Sequence, residues 1–243
     1  MRVWPPPPRS LRALVGEPDL ASFRRVGADC LGQLLDAGLP REGRVLEIGC
    51  GCGRIAAPLA DALGPRARYL GVDVRPDLIA YGRETITPRD ERFRFERVDI
   101  RHPAYNPAGR LRAARASFSR FGRFDFVLLI SVLTHLGRDE SARYLSEIRG
   151  VLAPGGRAFV TFYLHSPSLL RLRGARHGSL FPFRCGRCRF NESAYAFSHH
   201  ERDVLAACAR AGLERAAPIR YGDWSAARAG LWPAQDVLVL RAV

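Results

Sequence analysis

Apolar residues along this chain recur with two different periods. From Asp19 to Ala37 the spacing is helical: Leu20, Phe23, Val26, Cys30, Leu34 and Leu35 approximate one face. Asp19 can cap the start of that helix, and Gly38 with Pro40 closes it. Short apolar runs then alternate with helical segments. Strands are expected at 44–48 and 67–72, followed by helices at 53–63 and from Pro76 to about Thr85, with Pro76 suited to a first turn. Residues 92–98 alternate polar and apolar as a half-buried strand, and 124–130 form a buried one. A helix is expected over 138–152, a turn at Pro154-Gly155-Gly156, and a strand over 157–164. The chain closes with a helix at 199–211 and strands at 213–220 and 235–242, which lack an intervening helix and should pair antiparallel. Residues 1–19, rich in proline and arginine, read as extended or irregular. Strand–helix alternation argues an α/β fold with a parallel, doubly wound sheet.

The first strand runs into Glu47-Ile48-Gly49-Cys50-Gly51-Cys52-Gly53-Arg54. Glycine at three alternate positions suits a tight strand-to-helix turn whose amide groups a nucleotide-like ligand can approach. A nicotinamide or flavin fingerprint needs G-x-G-x-x-G, and its third glycine place is Arg54 here. A P-loop is excluded because the chain contains no lysine. Further candidates stand at the C-terminal ends of later strands, where open α/β sheets bind ligands. Asp73 ends the second strand and suits two ribose hydroxyls. Asp99 and Ile100 end the third, as acceptor and apolar wall for an adenine. The fourth leads into Ser131-Val132-Leu133-Thr134-His135, and His135 is a candidate general base.

Composition narrows the partners. The chain of 243 residues is 47% hydrophobic and 26% charged, as a single globular domain with elaborations would be. No apolar run reaches the roughly 20 residues that span a bilayer, and no signal-peptide core follows the four prolines, so a cytoplasmic protein is expected. The net charge of +14 comes entirely from arginine, spread along the chain. It favours an acidic small substrate over nucleic acid without deciding between them. Six cysteines do not read as a disulfide framework in that compartment. Cys185 and Cys188 form a lone CxxC, half of a zinc site that His177 with His199 or His200 would complete, and no metal is expected from so little.

The glycine turn, Asp73, Asp99, the Ser131–Leu136 stretch and Leu152-Ala153-Pro154-Gly155-Gly156, in that order, resemble the class I S-adenosylmethionine-dependent methyltransferases. Asp19–Gly27, Tyr105-Asn106-Pro107, Ile219–Ser225 and Gln235–Leu240 are similar to a bacterial small-molecule subgroup of that class. The resemblance implies a Rossmann-like, seven-stranded, mostly parallel sheet with a C-terminal antiparallel hairpin. An N-terminal arm and covering helix (1–40) would precede the catalytic domain (41–243), with an arginine-rich lid insert at about 166–198. It implies S-adenosylmethionine as cofactor, held by Phe23, Glu47, Gly49, Cys50, Gly51, Gly53, Asp73, Val74, Asp99, Ile100 and Ser131. Phe23 is expected to pack over it, with Trp4 in the lid. Glu47 would act through the turn's amides or the ligand's ammonium. The implied reaction is methyl transfer to a small anionic or aromatic acceptor, with oxygen as the expected atom. An RNA or protein methyltransferase and a non-catalytic binding module are the alternatives, the former lacking an Asn/Asp-Pro-Pro-Tyr/Phe motif after the fourth strand.

Overall fold

The computed structural model of the protein describes residues 4–166, 168, 180–185, 187–223 and 235–243. The periodic helix forms as α2 (Leu20–Asp36), after a short helix α1 (Arg9–Leu14) in the segment expected to be irregular. Pro8 sets the entry to α1 and its carbonyl accepts from the Arg12 amide at 3.1 Å, yet α1 buries none of its residues, so it leaves no periodic signal. Asp19 caps α2 by accepting from the Ser22 amide at 2.7 Å. Gly38, at φ +88°, ends it with the paired bonds Gly38 N–H to Leu35 C=O and Leu39 N–H to Leu34 C=O. The buried face of α2 carries Phe23, Val26, Gly27, Cys30 and Leu34. At Gly27 a Cβ would lie 2.6 Å from the Arg54 carbonyl, so this residue sets how closely α2 approaches the glycine turn.

The strands are β1 (Arg44–Ile48), β2 (Arg68–Asp73), β3 (Phe93–Arg97), β4 (Ile100–Arg101), β5 (Leu111–Arg112), β6 (Phe124–Leu129), β7 (Leu152–His165), β8 (Phe183–Cys185), β9 (Cys188–Asn191), β10 (Ala196–His200), β11 (Leu213–Arg215) and β12 (Asp236–Ala242). Helices α3 (Ala56–Ala62), α4 (Pro76–Tyr81), α5 (Arg138–Val151) and α6 (Glu201–Arg210) separate them. The main sheet runs β3-β2-β1-β6-β7-β12-β11, parallel through β7, with β12 antiparallel to both β7 and β11. This is the doubly wound sheet with a terminal hairpin that the alternation predicts. Strands β8, β9 and β10 extend it, β10 pairing in parallel with the far end of β7 at Tyr163–His165. The proline-glycine turn sits inside β7 as an irregularity: Phe124 pairs with Leu152 but Phe126 with Arg157, and Gly155 takes φ +75°.

Both faces of the sheet are covered, as parallel strands require. Along β1, Leu46 and Ile48 enter the layer with Leu145 and Ile148 of α5, while Val45 enters the layer with Leu34 of α2 and Leu59 of α3. Among the described residues no helix is long and apolar enough to cross a membrane.

Candidate functional site

A cleft of about 560 Å³ opens at the C-terminal ends of β1, β2 and β6 and beside Ile100, within the range of small-ligand sites. Its floor is the glycine turn. Gly49, Gly51 and Gly53 adopt φ of +80°, +54° and +82°, conformations that cost other residues strain. Side chains of the protein itself crowd each of them: a Cβ would meet Val132 at Gly49, Val15 at Gly51 and Ile86 at Gly53. The turn's amides are used internally. Gly49 and Cys50 N–H both donate to the Val72 carbonyl (2.7 and 3.1 Å), and Gly51 N–H donates to Asp73 Oδ2 at 2.9 Å. These amides are therefore not free for a ligand, contrary to the expectation from the sequence. The floor of the cleft at Gly49 and Gly51 is thus main chain whose amide hydrogens are already bonded within the protein.

Asp73 links the turn to the next loop, since its Oδ1 accepts from the Arg75 amide at 3.0 Å. Burial raises its pKa against the lowering effect of those amide bonds. Each carboxylate oxygen has further lone-pair capacity, and Asp73 lines the cleft together with Val74, Ile100 and Ser131. Ser131, at φ +60°, donates its amide to Thr161 Oγ1 (2.9 Å), and its hydroxyl accepts from Gln235 Nε2 (2.9 Å). Tyr105, Tyr144 and Tyr163 also line the cleft, and the loop of residues 15–17 after α1 covers the glycine turn, pinned by Arg54 Nη1 to the Val15 carbonyl at 3.1 Å.

Several expected residues lie elsewhere. Glu47 points into the core and accepts from the Tyr69 hydroxyl, and burial raises its pKa to about 8. That side chain is turned away from the cleft because β1 alternates, and its neighbours Leu46 and Ile48 belong to the opposite layer. Cys50 and Gly53 sit under the turn without lining the cleft. Phe23, expected to pack over the cofactor, packs with Cys52 and Leu78 and does not line the cleft. Trp4 packs edge-on against Phe93, at 5.1 Å, in the core layer of α2 and α3. Asp99 also misses the cleft, its carboxylate being taken by Arg97 (3.0 Å), Arg110 (3.7 Å) and Asn106 Nδ2 (3.3 Å). None of the described residues of 166–198 lines the cleft either.

His135 does line it. Nδ1 lies 2.8 Å from the Tyr195 carbonyl, and the Tyr105 hydroxyl lies beside the ring, 3.2 Å from Nε2 and 3.5 Å from Nδ1. Desolvation lowers its pKa, partly offset by the bond to the Tyr195 carbonyl. His102 lies alongside and donates through Nε2 to the His135 carbonyl at 3.0 Å. The sequence reading missed His102 and Gln235 as site residues. The local signal for His102 was only its place just after Ile100, and for Gln235 its place before the last strand.

Cys185 and Cys188 are cross-strand partners in the β8–β9 hairpin and both are free thiols. Cys188 Sγ meets His199 Nδ1 at 3.4 Å. The described residues contain no group of three or more His, Cys, Asp or Glu arranged for a metal, and His177 lies outside them.

A model of the methyltransferase domain family matches residues 46–158, the stretch from β1 into β7. An arsenite methyltransferase of Aquipseudomonas alcaligenes is 29% identical over 116 residues, which are 48% of this chain and 31% of that protein. The chain thus spans about a third of the length of that curated relative. A TehB-like S-adenosylmethionine-dependent methyltransferase from Corynebacterium glutamicum shares the fold at a TM-score of 0.51 and 20% identity, covering 96% of this chain and 92% of the other. A 1,6-didemethyltoxoflavin N1-methyltransferase from Burkholderia thailandensis, solved with S-adenosylhomocysteine, does so at 0.56 and 20%, covering 93% and 80%. Residues 46–158 are similar to the methyltransferase domain family, and the chain has the fold of the class I S-adenosylmethionine-dependent methyltransferases.

Proposed function

We propose that the chain is an enzyme that transfers a methyl group from S-adenosylmethionine to an oxygen of a small aromatic acceptor, with His135 as the base. The observation that carries this reading is that a histidine hydrogen-bonded to the Tyr195 carbonyl lines the same cleft as Asp73, Val74 and Ile100. The residues suit the donor. Asp73 has lone pairs to spare for two ribose hydroxyls, Val74 and Ile100 offer apolar faces for a purine, and Gly49 and Gly51 line the cleft where the methionine portion would lie. When bound, S-adenosylmethionine supplies a methyl carbon already activated by the positive sulfur. The protein's remaining tasks are to hold the acceptor in line, exclude water and take one proton.

Oxygen is favoured because the acceptor side of the cleft carries a base and several phenol rings rather than thiols. None of the described cysteines lines the cleft, so they supply no sulfur ligands for a metalloid acceptor such as that named for the arsenite relative. Arg101, exposed at the rim, offers a partner for an acidic group on the acceptor.

The test is methyl transfer from methyl-labelled S-adenosylmethionine to a set of small phenols, with RNA and protein as separate arms. Label is expected in the phenols, and His135→Gln should lower kcat by about 10²–10⁴-fold while leaving cofactor affinity intact. Label in macromolecules alone, cofactor binding without any turnover, or full activity in His135→Gln would overturn the reading.

A further inference from the structure

The hairpin turn of the insert contacts the base from outside the cleft. Tyr195, between β9 and β10, holds φ +43°, in the left-handed region that a bulky residue rarely occupies. The turn is braced independently of His135. Asn191 Oδ1 accepts from the Ala194 amide (3.0 Å) and the Ser193 hydroxyl (2.9 Å), and the Tyr195 amide donates to the Glu192 carbonyl at 3.2 Å. The Tyr195 ring meets Phe190 at 5.3 Å and His102 at 4.8 Å, both near perpendicular. This bracing leaves the Tyr195 carbonyl 2.8 Å from His135 Nδ1.

We propose that Tyr195 is a positioning residue: through its main-chain carbonyl, the insert holds His135 as the Nδ1–H tautomer and leaves Nε2 as the unprotonated nitrogen of the ring. A carbonyl oxygen only accepts, so the nitrogen facing it carries the proton and the other ring nitrogen of the neutral imidazole does not. The Tyr105 hydroxyl lies beside the ring, 3.2 Å from Nε2 and 3.5 Å from Nδ1. When an acceptor hydroxyl is bound against Nε2, its O–H bond breaks as its oxygen takes the methyl group, and the proton goes to Nε2. The resulting imidazolium keeps its Nδ1–H bond to Tyr195.

His102 is fixed the opposite way. Its Nε2–H donates to the His135 carbonyl, and its Nδ1 accepts from the Ala104 and Tyr105 amides at 3.2 and 3.3 Å. Two adjacent histidines are thus held in opposite tautomers. Tyr195, 60 residues beyond His135 in the chain, touches both of them, one through its carbonyl and the other through its ring.

This proposal rests on the reading of His135 as the base, but it is tested without cofactor or acceptor. The ring ¹⁵N resonances of His135, identified by their loss in His135→Gln, should show a protonated Nδ1 and an unprotonated Nε2, and those of His102 the reverse. Tyr195→Gly, which keeps access to positive φ, should preserve the His135 pattern. Tyr195→Val, whose branched side chain disfavours positive φ, should lose it to a tautomer mixture. Tyr105→Phe should leave it unchanged. A protonated Nε2 in the wild type overturns the proposal whether or not the variants fold. So does an intact Nδ1–H pattern in folded Tyr195→Val, or loss of that pattern in Tyr105→Phe. The predicted tautomer in a protein that transfers no methyl group would instead sink the functional reading and leave this one standing.

Discussion

Glu47 gives the sharpest link between burial and a measurable quantity. It lies on β1, 2% exposed, with the Tyr69 hydroxyl as its hydrogen-bond donor. Burial raises its pKa from 4.5 to about 8, against the lowering effects of Tyr69 and Arg54 and with a small addition from Asp73. In the unfolded chain the carboxyl ionises near its ordinary value, whereas the folded protein keeps it protonated until much higher pH. Its contribution to stability is therefore complete below 4.5, is lost progressively as pH rises to about 8, and is constant above that. At about 1.4 kcal/mol per pH unit, the whole interval amounts to ~5 kcal/mol. Glu47→Gln cannot ionise and keeps an oxygen for the Tyr69 hydroxyl, so it removes this dependence. Urea unfolding of both proteins, followed from about pH 5 to about pH 9, should show the variant gaining ~4 kcal/mol relative to wild type across the series. Titrations common to both proteins cancel in that difference. A constant difference at every pH would refute the reasoning, because it would mean that the carboxyl is not held protonated by burial.

Two further changes test how the cleft is held. Asp236→Ala should destabilise the fold by about 2–5 kcal/mol, seen in the unfolding midpoint, because its buried carboxylate accepts from the Leu164 amide (2.6 Å) and the Gly222 amide (2.9 Å) and both lose that acceptor. Gly51→Val combines a branched residue at φ +54° with a Cβ placed 2.7 Å from Val15, so the arm over the glycine turn should lift. Faster proteolysis at Arg9 or Arg12 and a lower melting temperature are expected, and an unchanged digestion pattern would argue against that packing.

The fold was legible because its signals are local. Helix α2, the glycine turn, Asp73 at the end of β2 and the final hairpin each announce themselves within about twenty residues, by period, by cap or by turn chemistry. Other features depend on long-range contacts. Asp99 reads as a ligand to adenine, yet Arg97, Arg110 and Asn106 surround it in the folded chain. The motif assigns Glu47 to the ligand, but the pleat of β1 turns it into the core. The arrangement around His135 needed three segments at once: the loop carrying His102 and Tyr105, the end of β6, and the turn at Tyr195. No spacing rule along the chain joins those segments. The arginines at 171, 173 and 176 fall outside the described residues, and Arg187 of the insert pairs with Asp203.

The central claim is that the cleft over the glycine turn holds the methyl donor through Asp73, and a calorimetric titration with S-adenosylhomocysteine tests it most directly. Wild-type protein should bind at a single site. Asp73→Asn should bind about 10²–10⁴-fold more weakly, the loss expected when two hydrogen bonds to a charged acceptor are degraded, at about 1.5–3 kcal/mol each. No binding by the wild type, or equal affinity in a folded Asp73→Asn, would contradict the account.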